Sequence, residues 1–388
     1  MSKICVIGAS AMGTALCRPL IDTGWDVAMW GTEYDDAVLD AYALGQTHPA
    51  IHVPLAPQVK TYRSKHLDAA VKGAEVLAIC VAAVGLPDIT RRLAPYFSRV
   101  RAVWVLTKGF IEDEAGNVHL LAEAMEQIAG ENGAELPTLV SIGGPVIARQ
   151  CALSEPTATV YACQDLGAAV HYARAVRTDY YRAFPTEDTT GVEVLAPLKN
   201  SYAIALGVTE GIQESTGSPQ SNLRAAVFAQ AIREMSLVCE ALGGRQESAI
   251  GLAGVGDLEV TGISGRNKFF GMRLGRGEHP VEAEEQMKAA GHTVEGVHST
   301  PLAVKLIEQR CPQLLDELPL LRAVDEAISG EVDIRKILVS AALPAYPADI
   351  FATQHQSSWN SDWNPVDTGR VWGLTKLVNR VKNRLRQE

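Results

Sequence analysis

The sequence predicts an α/β fold: a mostly parallel amino-terminal sheet covered by helices, followed by an all-helical carboxy-terminal domain. Three observations carry the prediction. Short apolar runs of strand character recur at 3–8, 26–30, 74–82, 101–109, 138–145, 157–162 and about 179–184. The run at 74–82, AEVLAICVA, is apolar on both faces, as strands are when helices cover a parallel sheet from both sides. Beyond residue 190 the strand–helix alternation stops, and helical periodicity holds over 193–211, 222–243, 246–254, 268–276, 280–290, 300–311 and 318–329. The expected units are 1–190, 191–335 and a carboxy-terminal extension, 336–388.

A chain of 388 residues suits two domains better than one, and a hydrophobic content of 47% is enough to fill large cores. The net charge of −10 argues against general nucleic-acid binding, while leaving room for a local anion pocket. The seven cysteines (5, 17, 80, 151, 163, 239 and 311) form no CxxC pair and no cluster with histidine. They read as small buried hydrophobes in a reducing compartment, and no disulfide frame or metal site is expected. KICVIG follows Met1 at once, so no signal peptide is expected, and the longest apolar run, 76–87, is too short to span a bilayer. A soluble cytoplasmic protein is expected.

Residues 3–8, KICVIG, enter the turn GASAMG and then a helix, TALCRPLIDTG. A glycine-rich turn in that context can hold a pyrophosphate at a helix N-terminus, which makes the first unit Rossmann-type. Gly8, Ser10, Ala11, Met12 and Gly13 are its candidate cofactor contacts, with Gly8 serving the tight turn and Gly13 the close packing of helix on strand. Ser10 stands where glycine is usual, so its side chain either crowds a diphosphate or donates to it. After the second strand, Glu33 lies twenty residues past Gly13, where an acidic side chain reaches adenosine ribose hydroxyls. No lysine or arginine occurs between Arg18 and Lys60, so a 2′-phosphate finds no neighbouring cation in that stretch and NAD is favoured over NADP. The bland alternative is that Glu33, Asp35 and Asp36 only cap the next helix.

Ligands of open α/β sheets bind outside the carboxyl ends of the strands. Lys108 ends the fourth apolar run there, and Gly143-Gly144-Pro145 ends the fifth. In the helical part, EVLAPLKNSYAIALGVTEGI (193–212) sets one lysine, Lys199, in an apolar run. Alone it reads as a lysine snorkelling to the surface from a core helix; with the partners further along it reads as chemistry. Those partners are Asp257, Thr261, Arg266 and Asn267 in GLAGVGDLEVTGISGRNKFFGMRLG, where arginine beside asparagine at a helix start suits a phosphate or carboxylate.

Taken together the motifs resemble NAD(P)-dependent glycerol-3-phosphate dehydrogenases over roughly residues 1–335. The resemblance is carried by GASAMG, LTKG (106–109), GGPVIA (143–148), LKN (198–200), NLRAA (222–226), GVGDLEVT with GRN (254–267) and VEG (294–296). It implies Lys199 as catalytic acid/base, with Lys108 and Asp257 beside it and Thr261, Arg266, Asn267 and Gly144 around a small phosphorylated substrate. It places Lys108, Ala148, Arg266 and Glu295 on the cofactor side. The chain departs from the pattern at Ser10, Val146, Ile147, Gln150 and Gln230 and in the loop at 219–221. A dehydrogenase of another acidic polyol and a non-catalytic dinucleotide-binding sensor stay open. A 3-hydroxyacid dehydrogenase is disfavoured because Ala203 stands where such enzymes place an asparagine. A homodimer is expected. The tail ends in GRVWGLTKLVNRVKNRLRQE, a basic segment of helical spacing that reads as a packed terminal helix, a subunit contact or a peripheral membrane contact.

Overall fold

Eight strands make one sheet in the order β10-β9-β8-β5-β4-β1-β2-β3 in the computed structural model, which describes residues 2–343. They are β1 (Lys3–Ile7), β2 (Asp26–Trp30), β3 (Lys60–Tyr62), β4 (Val76–Ile79), β5 (Ala102–Val105), β8 (Thr138–Gly143), β9 (Thr157–Ala162) and β10 (Tyr181–Thr186). β6 (Ile111–Glu112) and β7 (Val118–His119) form a separate antiparallel hairpin. Within the large sheet only the β8–β9 pair is antiparallel. Alternate residues of each central strand go to opposite layers. Ile4, Val6, Val27, Met29, Val76 and Ala78 join one apolar cluster with α1 (Ala11–Asp22) and α7 (Leu166–Ala175). Cys5, Ile7, Ala28, Trp30, Leu77 and Ile79 join the other, with α3 (Leu67–Val71), α4 (Leu86–Leu93) and α5 (Leu121–Glu131). α2 (Asp36–Ala43) and α6 (Ala148–Ala152) complete this half.

The strands expected at 26–30 and 157–162 have those limits, whereas the runs at 74–82, 101–109 and 138–145 outlast their strands. Their last residues leave the sheet as loops over its carboxyl edge, and those loops carry Lys108 and Gly144. β3 went unforeseen because KTY is short, polar and exposed at the sheet edge.

The second half is built around α8 (Thr189–Thr216), a helix of 28 residues. Asp188 caps it by accepting from the Gly191 N–H at 2.9 Å, and Gly217, with φ 71°, ends it in the left-handed conformation. From Val192 to Thr209 every residue of this helix is buried, so the polar residues within it take partners from the protein. Around it lie α9 (Ser221–Ala241), α10 (Gln246–Ile250), α11 (Asp257–Ile263), α12 (Arg266–Gly275), α13 (Pro280–Ala289), α14 (Glu295–Arg310), α15 (Pro319–Ser329) and α16 (Ile334–Ala342). α14 begins five residues ahead of the expected start at 300, with Pro301 inside the helix instead of at its head. α16 runs across the expected unit boundary at 335. The basic segment at 369–388 lies outside the described residues. Among the described residues no helix is long and apolar enough to cross a membrane.

α8 and α12 meet backbone against backbone. A Cβ on Gly207 or Gly211 would lie 2.1 or 2.0 Å from the carbonyl oxygens of Lys268 and Met272. One on Gly271 or Gly275 would lie 2.0 or 2.3 Å from those of Ile204 and Val208. This Gly-x-x-x-Gly spacing on both helices is what brings Arg266 and Asn267 down to the middle of α8. Helix propensity alone would make Gly271→Ala stabilising by up to about 1 kcal/mol. We expect the opposite, a loss of about 1–3 kcal/mol from overpacking, read as a lower urea midpoint with unchanged m-value.

Candidate active site

Lys199 is 6% exposed on α8, which rules out snorkelling. Its ammonium donates to Asp257 Oδ1, and the Lys108 ammonium donates to Asp257 Oδ2 at 2.9 Å. One buried carboxylate therefore bridges a lysine from the sheet's carboxyl edge and a lysine from the helical core. Asp257 reaches that position because a π-helical turn, Leu252–Gly256, immediately precedes it. The turn requires glycine at 254, where a Cβ would sit 1.9 Å from the Ala249 carbonyl oxygen.

The three groups divide the charge unequally. Burial and then the neighbouring Lys108 charge pull the Lys199 pKa down to about 8, against the opposing pull of Asp257. Burial also works against the Lys108 ammonium, but Asp257 and more distant Glu295 outweigh it, and its pKa lies above the ordinary lysine value. Asp257 likewise stays ionised in spite of burial, held below the usual carboxylate range by the two lysines. A lysine near neutrality beside a permanent ammonium is an arrangement suited to moving a proton at a forming alkoxide.

A second network adjoins the first. The Arg266 guanidinium donates to Glu295 Oε1 at 2.8 Å, and the Asn200 amide to Glu295 Oε2 at 3.2 Å. Asn267 donates to Asn200 Oδ1 and accepts from the Gly296 N–H, both at 2.8 Å. Arg266, Asn267 and Glu295, expected near the substrate or cofactor, are thus together. Asn267 is 5% exposed with its amide largely committed to the protein, while Arg266 and Glu295 are about half exposed and can exchange partners. Asn200 enters the sequence reading only as part of the LKN motif and without a role of its own; the structure gives it one, as the link between Asn267 and Glu295. Thr261 Oγ1 donates to the Asp257 carbonyl at 2.7 Å, which leaves its oxygen free only to accept.

The glycine-rich turn is at the carboxyl end of β1, between β4 and β2, where chain connections diverge to the two sides of the sheet. Gly8 has φ 101°, and a Cβ on Gly13 would lie 2.4 Å from the Gly8 carbonyl oxygen. Ser10 neither crowds this space nor aims its hydroxyl into it. Its Oγ donates to the Cys80 carbonyl at 2.7 Å and accepts from the Gly13 N–H at 3.2 Å, capping α1. The first intrahelical bond is Thr14 N–H to the Ser10 carbonyl at 2.9 Å, so the Ala11 and Met12 N–H groups face outward from the helix start. That donor set fits a diphosphate. Across the cleft, Gly144 has φ 120°, and a Cβ there would be 3.3 Å from Thr159 Cα. Ala148 begins α6 and is partly exposed, and the following Arg149 donates to the Ile51 carbonyl at 2.6 Å.

Like those of Ser10, the surroundings of Glu33 differ from expectation. Arg92, from α4, grips its carboxylate with Nη1 at 2.9 Å and Nη2 at 2.7 Å. These bonds hold the Glu33 pKa down at about 2. The argument from an absent cation therefore fails in three dimensions. The stretch from Arg18 to Lys60 does lack basic residues, but the fold delivers one from 59 residues further along.

Two family models match the chain. The amino-terminal model of NAD-dependent glycerol-3-phosphate dehydrogenase matches residues 3–169 and its carboxy-terminal counterpart residues 188–339. Among curated proteins, the chain is similar to an NADP(+)-dependent glycerol-3-phosphate dehydrogenase of Archaeoglobus fulgidus. The two are 33% identical over 304 residues, 78% of this chain and 89% of that protein. It is also similar to a glycerol-3-phosphate dehydrogenase of Mycobacterium tuberculosis, named for NAD(P)+. Here identity is 33% over 303 residues, 77% of this chain and 85% of the relative. Among solved structures, glycerol-3-phosphate dehydrogenase from Coxiella burnetii superposes with a TM-score of 0.73 at 28% identity, covering 87% of this chain and 97% of that one.

Proposed function

The chain belongs to the NAD-dependent glycerol-3-phosphate dehydrogenase family, and from that premise we propose that it interconverts glycerol 3-phosphate and dihydroxyacetone phosphate with Lys199 as acid/base. It is a nicotinamide-dependent oxidoreductase acting on a CH–OH group. The observation that carries the assignment of roles is the bridging of Lys199 and Lys108 by Asp257. The bound cofactor supplies or accepts the hydride; the chain's own task is the oxygen. As the ketone oxygen gains alkoxide character, the Lys199 ammonium donates a proton to it, and the Lys108 charge stabilises it. In the reverse direction neutral Lys199 takes the hydroxyl proton. Asp257 holds both amines and keeps the pair from repelling itself apart. Thr261 offers an acceptor to a substrate hydroxyl, Gly144 a close backbone approach, and Asn267, through Asn200, the alignment of Lys199 with Glu295.

For the cofactor, the Gly8–Gly13 turn holds the diphosphate, with Lys108, Ala148, Arg266 and Glu295 along the nicotinamide half. Glu33 at the ribose supports a preference for NAD(H), although the Archaeoglobus fulgidus relative is named for NADP. Residues 1–190 would form the dinucleotide unit and 191–335 the catalytic one. Seven free, buried thiols support a reducing, cytoplasmic setting, and a homodimer is the proposed assembly.

The test is reduction of dihydroxyacetone phosphate followed by NADH absorbance. No turnover of this ketone, with turnover of another acidic ketone, would overturn the substrate. Arg266 is the proposed phosphate anchor, released from Glu295 as substrate arrives. Arg266→Ala should raise KM for the phosphate ester roughly 10²-fold, the loss of a charge-assisted pair of about 3 kcal/mol. It should change KM for uncharged dihydroxyacetone far less. Equal effects on both ketones would show that Arg266 is not the anchor.

A further inference from the structure

We propose that Arg92 is a second reader of the adenosine ribose, receiving a 2′-phosphate when Glu33 turns away, so that the Glu33–Arg92 pair sets the balance between NAD(H) and NADP(H). The inference rests on the dinucleotide reading above and adds a residue to it. The geometry is specific. Glu33 follows β2 at the position that meets the ribose hydroxyls, and Arg92 comes from the last turn of α4 to the same place. Its two Nη atoms face Glu33, while its Nε holds Asp88 at 2.8 Å on its own helix. If Glu33 rotates out, the Asp88 bond keeps the guanidinium where it is, with both Nη groups presented to the end of β2.

A planar fork of that kind matches two oxygens of a phosphate as well as two oxygens of a carboxylate. Both side chains are open to solvent, Glu33 at 45% and Arg92 at 34%, so a ligand can reach the pair. Arg63, another cation near this strand end, is already held by Asp36 and Asp40. Glu33 then has two effects on a 2′-phosphate: it repels the dianion directly, and it occupies the guanidinium that would neutralise it. A free ribose hydroxyl meets neither penalty and gains the carboxylate as acceptor. The wild-type chain should therefore bind NADH more tightly and still accept NADPH.

The experiment is titration of full-length protein with NADH and NADPH, followed by quenching of tryptophan fluorescence, for wild type, Glu33→Gln, Arg92→Ala, the double variant and Arg91→Ala. Glu33→Gln should shift the NADPH:NADH affinity ratio at least 10-fold towards NADPH, and Arg92→Ala at least 10-fold the other way. In the double variant the gain from Glu33→Gln should disappear. The exposed neighbour Arg91→Ala should leave the ratio within threefold of wild type, which separates a specific contact from general positive charge. Equal weakening of both cofactors by Arg92→Ala would reduce the pair to a fastening of α4 against β2 and overturn the inference. Persistence of the Glu33→Gln gain without Arg92 would overturn it as well, with another cation reading the phosphate. Those results leave the dinucleotide site intact. Failure of wild type to bind either cofactor would instead overturn the dinucleotide reading, and this inference with it.

Discussion

Lys199→Met is expected to lower kcat about 10⁴-fold in both directions while cofactor affinity changes little. A positioned general acid contributes about 10²–10⁴-fold, and a charge aimed at a developing oxyanion in a dry site a further 10²–10³-fold, terms that overlap when one amine supplies both. Methionine fills a similar volume, so the 28-residue α8 should not collapse around it. Lys108→Met should do less to kcat and more to KM, because its raised pKa makes it a fixed charge and not a proton carrier. The direction of the pH profile is also determined. Reduction needs protonated Lys199, so kcat for the ketone should fall as pH rises through about 8, and oxidation, needing the neutral amine, should rise over the same range. The apparent midpoint belongs to the coupled trio of two lysines and Asp257. Stopped-flow single turnovers isolate the chemical step. A Lys199→Met variant that keeps wild-type single-turnover rates would remove it from the chemistry.

How far this site could be read from the sequence depended on the range of the interactions involved. Motifs within one strand–turn–helix unit were legible, because Gly8, Gly13 and the start of α1 are set by local geometry. The grouping of Lys108, Lys199 and Asp257 was legible only through resemblance. Nothing local says that a loop after β5 meets residues 199 and 257. Ser10 looked like a defect in the glycine-rich turn because its acceptor, the Cys80 carbonyl, lies 70 residues away, one residue past the end of β4. Glu33 looked unopposed for the same reason, with Arg92 supplied by a helix two strands across. The close approach of α8 and α12 rests on G-x-x-x-G at 207–211 and 271–275, a pattern the sequence reading does not use. That spacing becomes informative only once two helices are known to face each other, since in isolation each glycine merely weakens a helix.

The largest effect on stability is expected from Asp257, whose side chain is 3% exposed between two ammonium groups. Asp257→Asn keeps the volume and the Thr261 bond to the main-chain carbonyl but removes the charge, leaving buried Lys199 to face the partly exposed Lys108 with no carboxylate between them. Breaking a buried pair from one side costs about 3–5 kcal/mol, and the chain can reduce that cost only by releasing a proton. Lys199, already at about 8, is the group that will release it. Two results should follow. The fall of ketone reduction with pH should move to lower pH, because the acid form of Lys199 is lost earlier. Stability should also rise with pH from neutrality upward. A lysine whose folded pKa lies below its unfolded value binds fewer protons when folded, so folding is favoured as pH climbs towards the unfolded value. Urea unfolding of Asp257→Asn at several pH values measures the slope. Adding Lys108→Met to Asp257→Asn should recover part of the stability by removing the repulsion without restoring turnover. If Asp257→Asn unfolds at the wild-type midpoint, or if the second substitution destabilises it further, the carboxylate is not what holds the two lysines together.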